Sequence, residues 1–432
     1  MKIISSMQKN EIPFRPWQLA MWLSFAAGLV NAQSQLSFTD RIYDSHIKTV
    51  QLYPNLGGTQ DYQQPAAAPL MSQNLLLAFD DLQDQRRNYY VKFIHCNYDW
   101  TRSTLNDLDY LDNFNEFPFT EYALSVNTHV RYIHYRFQVP ALKLPGNYLL
   151  LVYRDDIKNL VLSRRMMIFD NRISVVKDEQ LIGAGTLNPA LQPVNFVVSY
   201  GDLEIINPSE SIHVNMRENQ RWDNVKINVP SSFVRDDQNQ LEYKSSEASR
   251  HFMGGSEYRY ADFRSLTYPG VNTGKMIRTS KPYELFIDTD KPRGESVYSQ
   301  TKDLDGNCII DNTDTGDPET NGNYLYVNFS LKTETPYEGD VYLVGRFNDY
   351  QQGDENRMHY NPATSTYESR QFLKQGWYDY LYLLDAKKSG PDPIEGSHFE
   401  TENTYEIAVY NRAMQPNADL LLGYYLITVN PR

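Results

Sequence analysis

The chain has 432 residues, a formal net charge of −13 and 41 % hydrophobic residues. That apolar content excludes wholesale disorder, and the length predicts two or three domains. The acidic balance repels nucleic acid and anionic membrane surfaces in general and suits a protein partner or a cationic surface.

Residues 1–32 read as a cleavable signal peptide. Lys2, Lys9 and Arg15 make the basic start, Trp17 to Val30 the apolar stretch, and Val30-Asn31-Ala32 the small-residue site with cutting before Gln33. The apolar run is shorter than the ~20 residues that a spanning helix needs. No Cys follows it closely, which argues against a lipid anchor. Cleavage removes three cations and one anion, taking the charge from −13 to −15. These features predict an exported protein of the periplasm.

Aromatics make up 13 % of the chain, 33 of them Tyr, and few stretches carry a helical period. Such a composition predicts an all-β fold of tandem antiparallel β-sandwich domains, immunoglobulin-like or early-set in architecture. The first sandwich is expected over residues 33–171. Arg41 to Pro54 reads as its entering strand, and 55–72 as a loop rich in Gly, Pro and Ala. Leu75, Leu77 and Phe79 alternate, as do Tyr89, Val91 and Phe93; the charged stretch Asp80 to Asn88 between them predicts a hairpin. Leu105, Leu108 and Leu111 predict a short helix capped within Thr101 to Thr104 and broken by Pro118. Strands follow at Arg131 to Val139, Tyr148 to Tyr153 and Leu160 to Phe169.

A middle β-rich domain is expected over 172–318, with the polar run Lys291 to Asn323 as a loop or linker into the third unit. The third sandwich, 319–432, begins at Tyr324 and is expected to close with Tyr405 to Val409 and Tyr425 to Val429. Its run GDVYLVGRFNDY and the later KQGWYDYLYLL resemble the starch-binding and early-set sandwiches, with Tyr350 where those modules usually carry Trp.

Four clusters invite a chemical reading. Asp80 and Asp81 are adjacent carboxylates, but neighbours on an extended chain point to opposite faces, so hydrogen bonding to backbone amides is expected. His95, Cys96 and Asp99 mix imidazole, thiol and carboxylate; the same alternation separates His95 from Cys96, leaving a buried thiol beside Trp100. The loop 303–311 holds Asp303, Asp305 and Asp311, yet its Gly306 falls at the fourth position where a calcium loop needs the sixth, and a solvated acidic turn is the plainer reading. Trp377, Tyr378 and Tyr380 could make a sugar platform, although alternation must send part of that set into the core. Gly270 to Lys275 is one residue short of a phosphate loop. No catalytic, cofactor-binding or metal-binding residue is therefore assigned and no cofactor is expected. Cys96 and Cys308 leave open whether they pair.

Long stretches carry a family resemblance: IKTVQLYP at 47–54, LLLAFDDL, NYYVKFIHCNYDW, LPGNYLLLVYRD at 144–155 and ASRHFMGGSEYRYADFRSLTYPGVN at 248–272. They resemble the type IX secretion system plug proteins of the Bacteroidetes. The resemblance implies a non-catalytic periplasmic protein that binds the giant outer-membrane β-barrel of the translocon and closes its periplasmic opening while no substrate is held. It implies no contact residues, so the partner-binding surface is unknown at this stage. The alternative is an exported carbohydrate-binding protein using the third sandwich.

Overall fold

The computed structural model describes residues 36–58, 60–83, 85–178, 188–244, 251–385 and 392–431. The expected signal peptide at 1–32 and its cleavage site lie outside the described residues. The fold is nearly all β, with 44 % strand and 6 % helix. Among the described residues, no helix is long and apolar enough to cross a membrane.

Among the described residues, three large apolar cores organise the chain from Ser37 on. The first lies between two sheets. One runs Ile47–Pro54, Leu75–Asp81, Ile133–Gln138, Glu121–Leu124; the other runs Arg41–Ile42, Asp156–Phe169, Gly146–Arg154, Tyr90–Cys96, Phe117–Pro118. Leu75, Leu77 and Phe79 meet Tyr89, Val91 and Phe93 in this core, as period-two alternation dictates. Phe79 sits 5.3 Å, ring centre to ring centre, from each of Tyr89, Phe119 and Tyr135. Burying such a ring contributes about 1.5–3 kcal/mol.

The expected hairpin of 73–100 is corrected by this arrangement. Leu75–Asp81 pairs with Ile47–Pro54 and Ile133–Gln138, whereas Tyr90–Cys96 pairs with Gly146–Arg154. The two strands face each other across the core instead of sharing a ladder. A polar link of this length imposes no hairpin register, so both can turn their apolar faces inward from opposite sheets. Asp80 and Asp81 end the first strand rather than opening the loop. The predicted helix shrinks to Asp107–Tyr110, capped by Asn106 and Asp109 instead of Thr101 to Thr104.

The second core brings together distant parts of the chain. Its first sheet holds Ser174–Lys177, Phe196–Ser199, Gln240–Tyr243 and Phe233–Arg235. Its second is Ile212–Glu218 paired along its whole length with Asn403–Ala413, which pairs in turn with Ala418–Val429. Tyr405, Ile407, Val409 and Leu422 enter the same core as Val214 and Met216. The expectation that the last two strands close the third sandwich is therefore corrected. Their apolar faces suited either core, and sequence distance does not tell them apart.

The third core stands between the sheet Thr273–Ile277, Glu284–Ile287, Tyr324–Lys332, Thr366–Lys374, His359–Asn361 and strands Arg259–Asp262, Cys308–Ile310 and Asp340–Val344, which all pair with Gly376–Asp385. The polar run 291–323 is not a bare linker: Cys308–Ile310 is a strand within this core's sheet, and Pro318–Asn321 forms a helical turn. Antiparallel pairing dominates, with parallel pairs at Glu284–Ile287 with Tyr324–Lys332 and at Ala67–Pro69 with Asp156–Phe169.

Candidate functional site

Asp80 has no exposed surface and lies where the first and third cores meet. Strand alternation sends it away from the first core, toward residues 244 and 294 positions further on: Tyr324 donates its hydroxyl to Asp80 Oδ2 at 2.7 Å, and Lys374 Nζ donates to the same oxygen at 2.8 Å. His134 Nδ1 lies 2.7 Å from Oδ1. Thr49 Oγ1 bonds the Tyr324 hydroxyl at 2.5 Å, and Lys374 also donates to the Glu319 carbonyl at 2.9 Å over the Tyr132 ring. Burial by itself would raise the Asp80 carboxyl; the Lys374 ammonium and His134 override it and hold the group below the ordinary carboxylate range. Asp81 faces the other way and binds Arg87 through two bonds of 2.6 and 2.9 Å and the Tyr89 hydroxyl at 2.8 Å. The two carboxylates diverge, as alternation requires, but their main partners are side-chain cations and hydroxyls rather than backbone amides.

A second junction ties the first core to the second. Trp100 and Trp222 stand edge to face at 5.0 Å, Arg165 lies over both rings, and Arg217 lies 3.9 Å over Trp222. Arg217 is held by Glu406 through bonds of 2.6 and 2.7 Å. A buried cation stacked on an indole and paired with a carboxylate, as Arg217 is, resists sliding, so this contact holds the cores at a set geometry.

Between the second and third cores opens an acidic cleft of about 570 Å³, lined by Glu257, Asp303, Asp305, Glu402 and Glu406 with Lys302 as a cation. Burial, followed for Asp305 by the neighbouring Asp303 and Glu402 charges, pushes Asp305 up to about 7; burial pushes Asp303 up to about 6. Beneath them Asp379 accepts the backbone N–H of Leu304 at 2.5 Å and of Gly306 at 3.3 Å, and burial raises it to about 8. Gly306 is left-handed, and a Cβ there would collide with Tyr350 and Tyr258. The glycine thus serves close packing of a tight turn.

Residues 47–170 match the profile of the type 9 secretion system plug protein 1st domain. The chain carries a plug first domain. A crystal structure of a hypothetical protein from Parabacteroides merdae ATCC 43184 superposes with a TM-score of 0.84 at 28 % identity, covering 91 % of this chain and 100 % of that one. The C-terminal domain of the Streptococcus pyogenes antigen I/II-family protein AspA aligns over 88 % of this chain and 99 % of its own at 9 % identity, with a TM-score of only 0.16. No curated protein matches.

The plug domain contains Asp80, Asp81, His95, Cys96 and Asp99 from the sequence candidates. His95 packs edge-on against Tyr148 at 5.0 Å and directly against Gly146, and burial lowers its imidazole to about 4. Cys96 is fully buried, and burial pushes its thiol up to about 12. No hydrogen bond joins the two among the described residues, and a neutral thiol beside a neutral imidazole is no nucleophile. Cys96 and Cys308 are both free thiols. Outside the plug domain, Asp303 and Asp305 reach the acidic cleft, while Asp311 lies apart, 3.7 Å from Arg264. Among the described residues, no group of three or more His, Cys, Asp or Glu is arranged to hold a metal ion.

Trp377 stacks on Tyr260 at 4.4 Å, with Arg264 also against the ring; Tyr378 and Tyr380 are buried in the third core. The residues that sequence reasoning missed are the partners. Lys374, His134 and Tyr324 carry no local motif, and only the folded chain shows that they meet Asp80.

Proposed function

We propose that this protein is a non-catalytic periplasmic plug that binds the giant β-barrel translocon of the type IX system and seals its periplasmic opening when no substrate is held. The observation that carries this reading is a plug first domain locked to the rest of the chain through the buried Asp80 cluster. A seal must resist deformation under load, and an ionic junction with almost no solvent access supports a body that moves as one piece. The mechanism is steric: the protein rests at the barrel mouth and blocks solute flow, and it leaves when substrate is admitted. Reversible binding fits a non-obligate interface with a polar rim.

The carbohydrate-binding alternative loses its main support, because Trp377 stacks on Tyr260 and Tyr378 and Tyr380 are core residues. The test is a pull-down from solubilised outer membranes together with a deletion strain. Association with a very large barrel, and a deletion strain leaky to large dyes or antibiotics, are expected. Unchanged permeability and no barrel in the pull-down would sink the reading.

A further inference from the structure

The chain is acidic as a whole, yet one cavity has the opposite character. It has a volume of about 350 Å³ and reaches from the strand Ile47–Pro54 to the turn after Gly345 and the end of Thr366–Lys374. Seven Arg and Lys residues line it against three carboxylates, in a chain of net charge −13. Several of these cations are already committed. Arg217 belongs to Glu406, Lys374 to Asp80, and Arg164 to Asp349 at 3.2 Å. Arg165 lies over Trp100 and Trp222, and the exposed Arg41 lies 5.3 Å over the Tyr43 ring.

Lys48 and Arg346 are different. Among the described residues neither side chain makes a hydrogen bond or a salt bridge, although both line the cavity. The Arg346 charge is felt by Asp349 and Cys308 without a direct pair. Both cations also come from irregular backbone. Lys48 precedes Thr49, a β-branched residue at φ 53°, where the register to the neighbouring strand slips between Lys48 and Gln51. A β-branched residue in the left-handed region is costly and persists only where its surroundings hold it; here the Thr49 hydroxyl is tied to Tyr324. Bulges of this kind re-aim side chains. Arg346 opens the turn Arg346–Asn348, which ends in two left-handed residues, Asp349 and Tyr350, each at φ 54°. This is the GRFNDY run singled out in the sequence. Ile42, Ile310, Phe347 and Phe372 give the same cavity apolar walls.

We propose that this cavity binds a small phosphate monoester with an apolar stem, with Lys48 and Arg346 as its charge partners. Two uncommitted cations match the charge of about −1.5 to −2 that such a phosphate carries at pH 7. The guanidinium fork suits phosphate oxygens, and the apolar walls take the stem. The ligand is either a soluble ester or the headgroup of phosphatidic acid, since both present a phosphate monoester. The inference stands independently of the sealing role.

The experiment uses the mature chain in near-physiological potassium chloride, with inorganic phosphate and n-hexyl phosphate as probes in calorimetry and thermal melts. Hexyl phosphate should bind saturably and more tightly than inorganic phosphate. Lys48→Gln and Arg346→Gln should each weaken it about tenfold to a hundredfold, as loss of a charge-assisted bond does, and the double variant should abolish it. Unliganded melting temperatures should stay near wild type, because neither side chain holds another residue; Lys48→Met and Arg346→Met provide a second pair if either Gln variant misfolds. Sedimentation with phosphatidylcholine vesicles containing phosphatidic acid, lost in the double variant, would assign the lipid source. Hexyl phosphate binding without vesicle binding would assign the soluble one. No saturable binding of either phosphate, or undiminished binding in the double variant, overturns the proposal.

Discussion

Asp305 shows how burial and neighbouring charge combine at one side chain. Its folded-state pKa of about 7, like the value of about 6 for Asp303, lies above the ordinary carboxylate value near 4. The folded chain therefore favours the protonated forms. Their contribution is complete below about pH 4 and is lost as pH rises through 6 to 7. Asp80 and Glu395 work in the opposite sense: both are held below their ordinary values, so stability falls as pH drops below about 4. Denaturant midpoints should thus be highest near pH 5 and decline toward pH 8. Asp305→Asn should match wild type near pH 4 and be more stable by about 2 kcal/mol at pH 8, since an amide needs no proton to be neutral. A flat profile in wild type would refute this account. At Cys96 the expectation is plainer. Cys96→Ala should cost about 1–2 kcal/mol through lost packing and leave partner binding in the folded fraction intact; a stable variant that no longer bound would refute the structural role. The alternation of Asp80 with Asp81 and of His95 with Cys96 was legible in sequence, because it follows from strand geometry alone. The partners of Asp80 were not, because Lys374 lies 294 residues away and nothing local marks it.

Among the elements, strands were legible and their neighbours were not. Period-two alternation marks Tyr405 to Val409 as a strand but is silent on whether it closes against Tyr324–Lys332 or Ile212–Glu218. The pairing is chosen by fit between surfaces far apart in the chain. The polar run 291–323 failed for a related reason: Cys308–Ile310 is too short to announce itself, yet it adds to the sheet that contains Gly376–Asp385. The observed pairing makes a prediction. A chain truncated after Glu402 loses both strands that pair with Ile212–Glu218, directly or through one another. Under limited proteolysis, residues 173–243 should become sensitive while 41–169 stays resistant. Continued protection of 173–243 would mean that the second core does not depend on those strands.

At the scale of the whole molecule, the all-β class was readable because period-two alternation is a local pattern that recurs along the chain. The joins between cores were not, since each is built from charges contributed by distant segments. The Asp80 junction should couple the first core to the third. Lys374→Met leaves a fully buried carboxylate short of its cation and should cost about 3–5 kcal/mol. Scanning calorimetry should show one transition in wild type and a split or strongly lowered one in the variant; adding Asp80→Leu should recover part of the loss. An unchanged melt for Lys374→Met would remove the junction from the account.

The split second core also bears on the order in which the polypeptide becomes available. The N-terminus emerges first, so residues 41–169 can fill their own apolar core early, with Asp80 still waiting for Tyr324 and Lys374. Residues 173–243 cannot, because Arg217 meets Glu406 only after another 189 residues have been made. Val214 and Met216 must wait with an unfilled apolar face until nearly the last strand emerges. The emerging chain thus has a long interval in which a domain with a filled apolar core is followed by one without, the stage at which a holding chaperone would have most to bind.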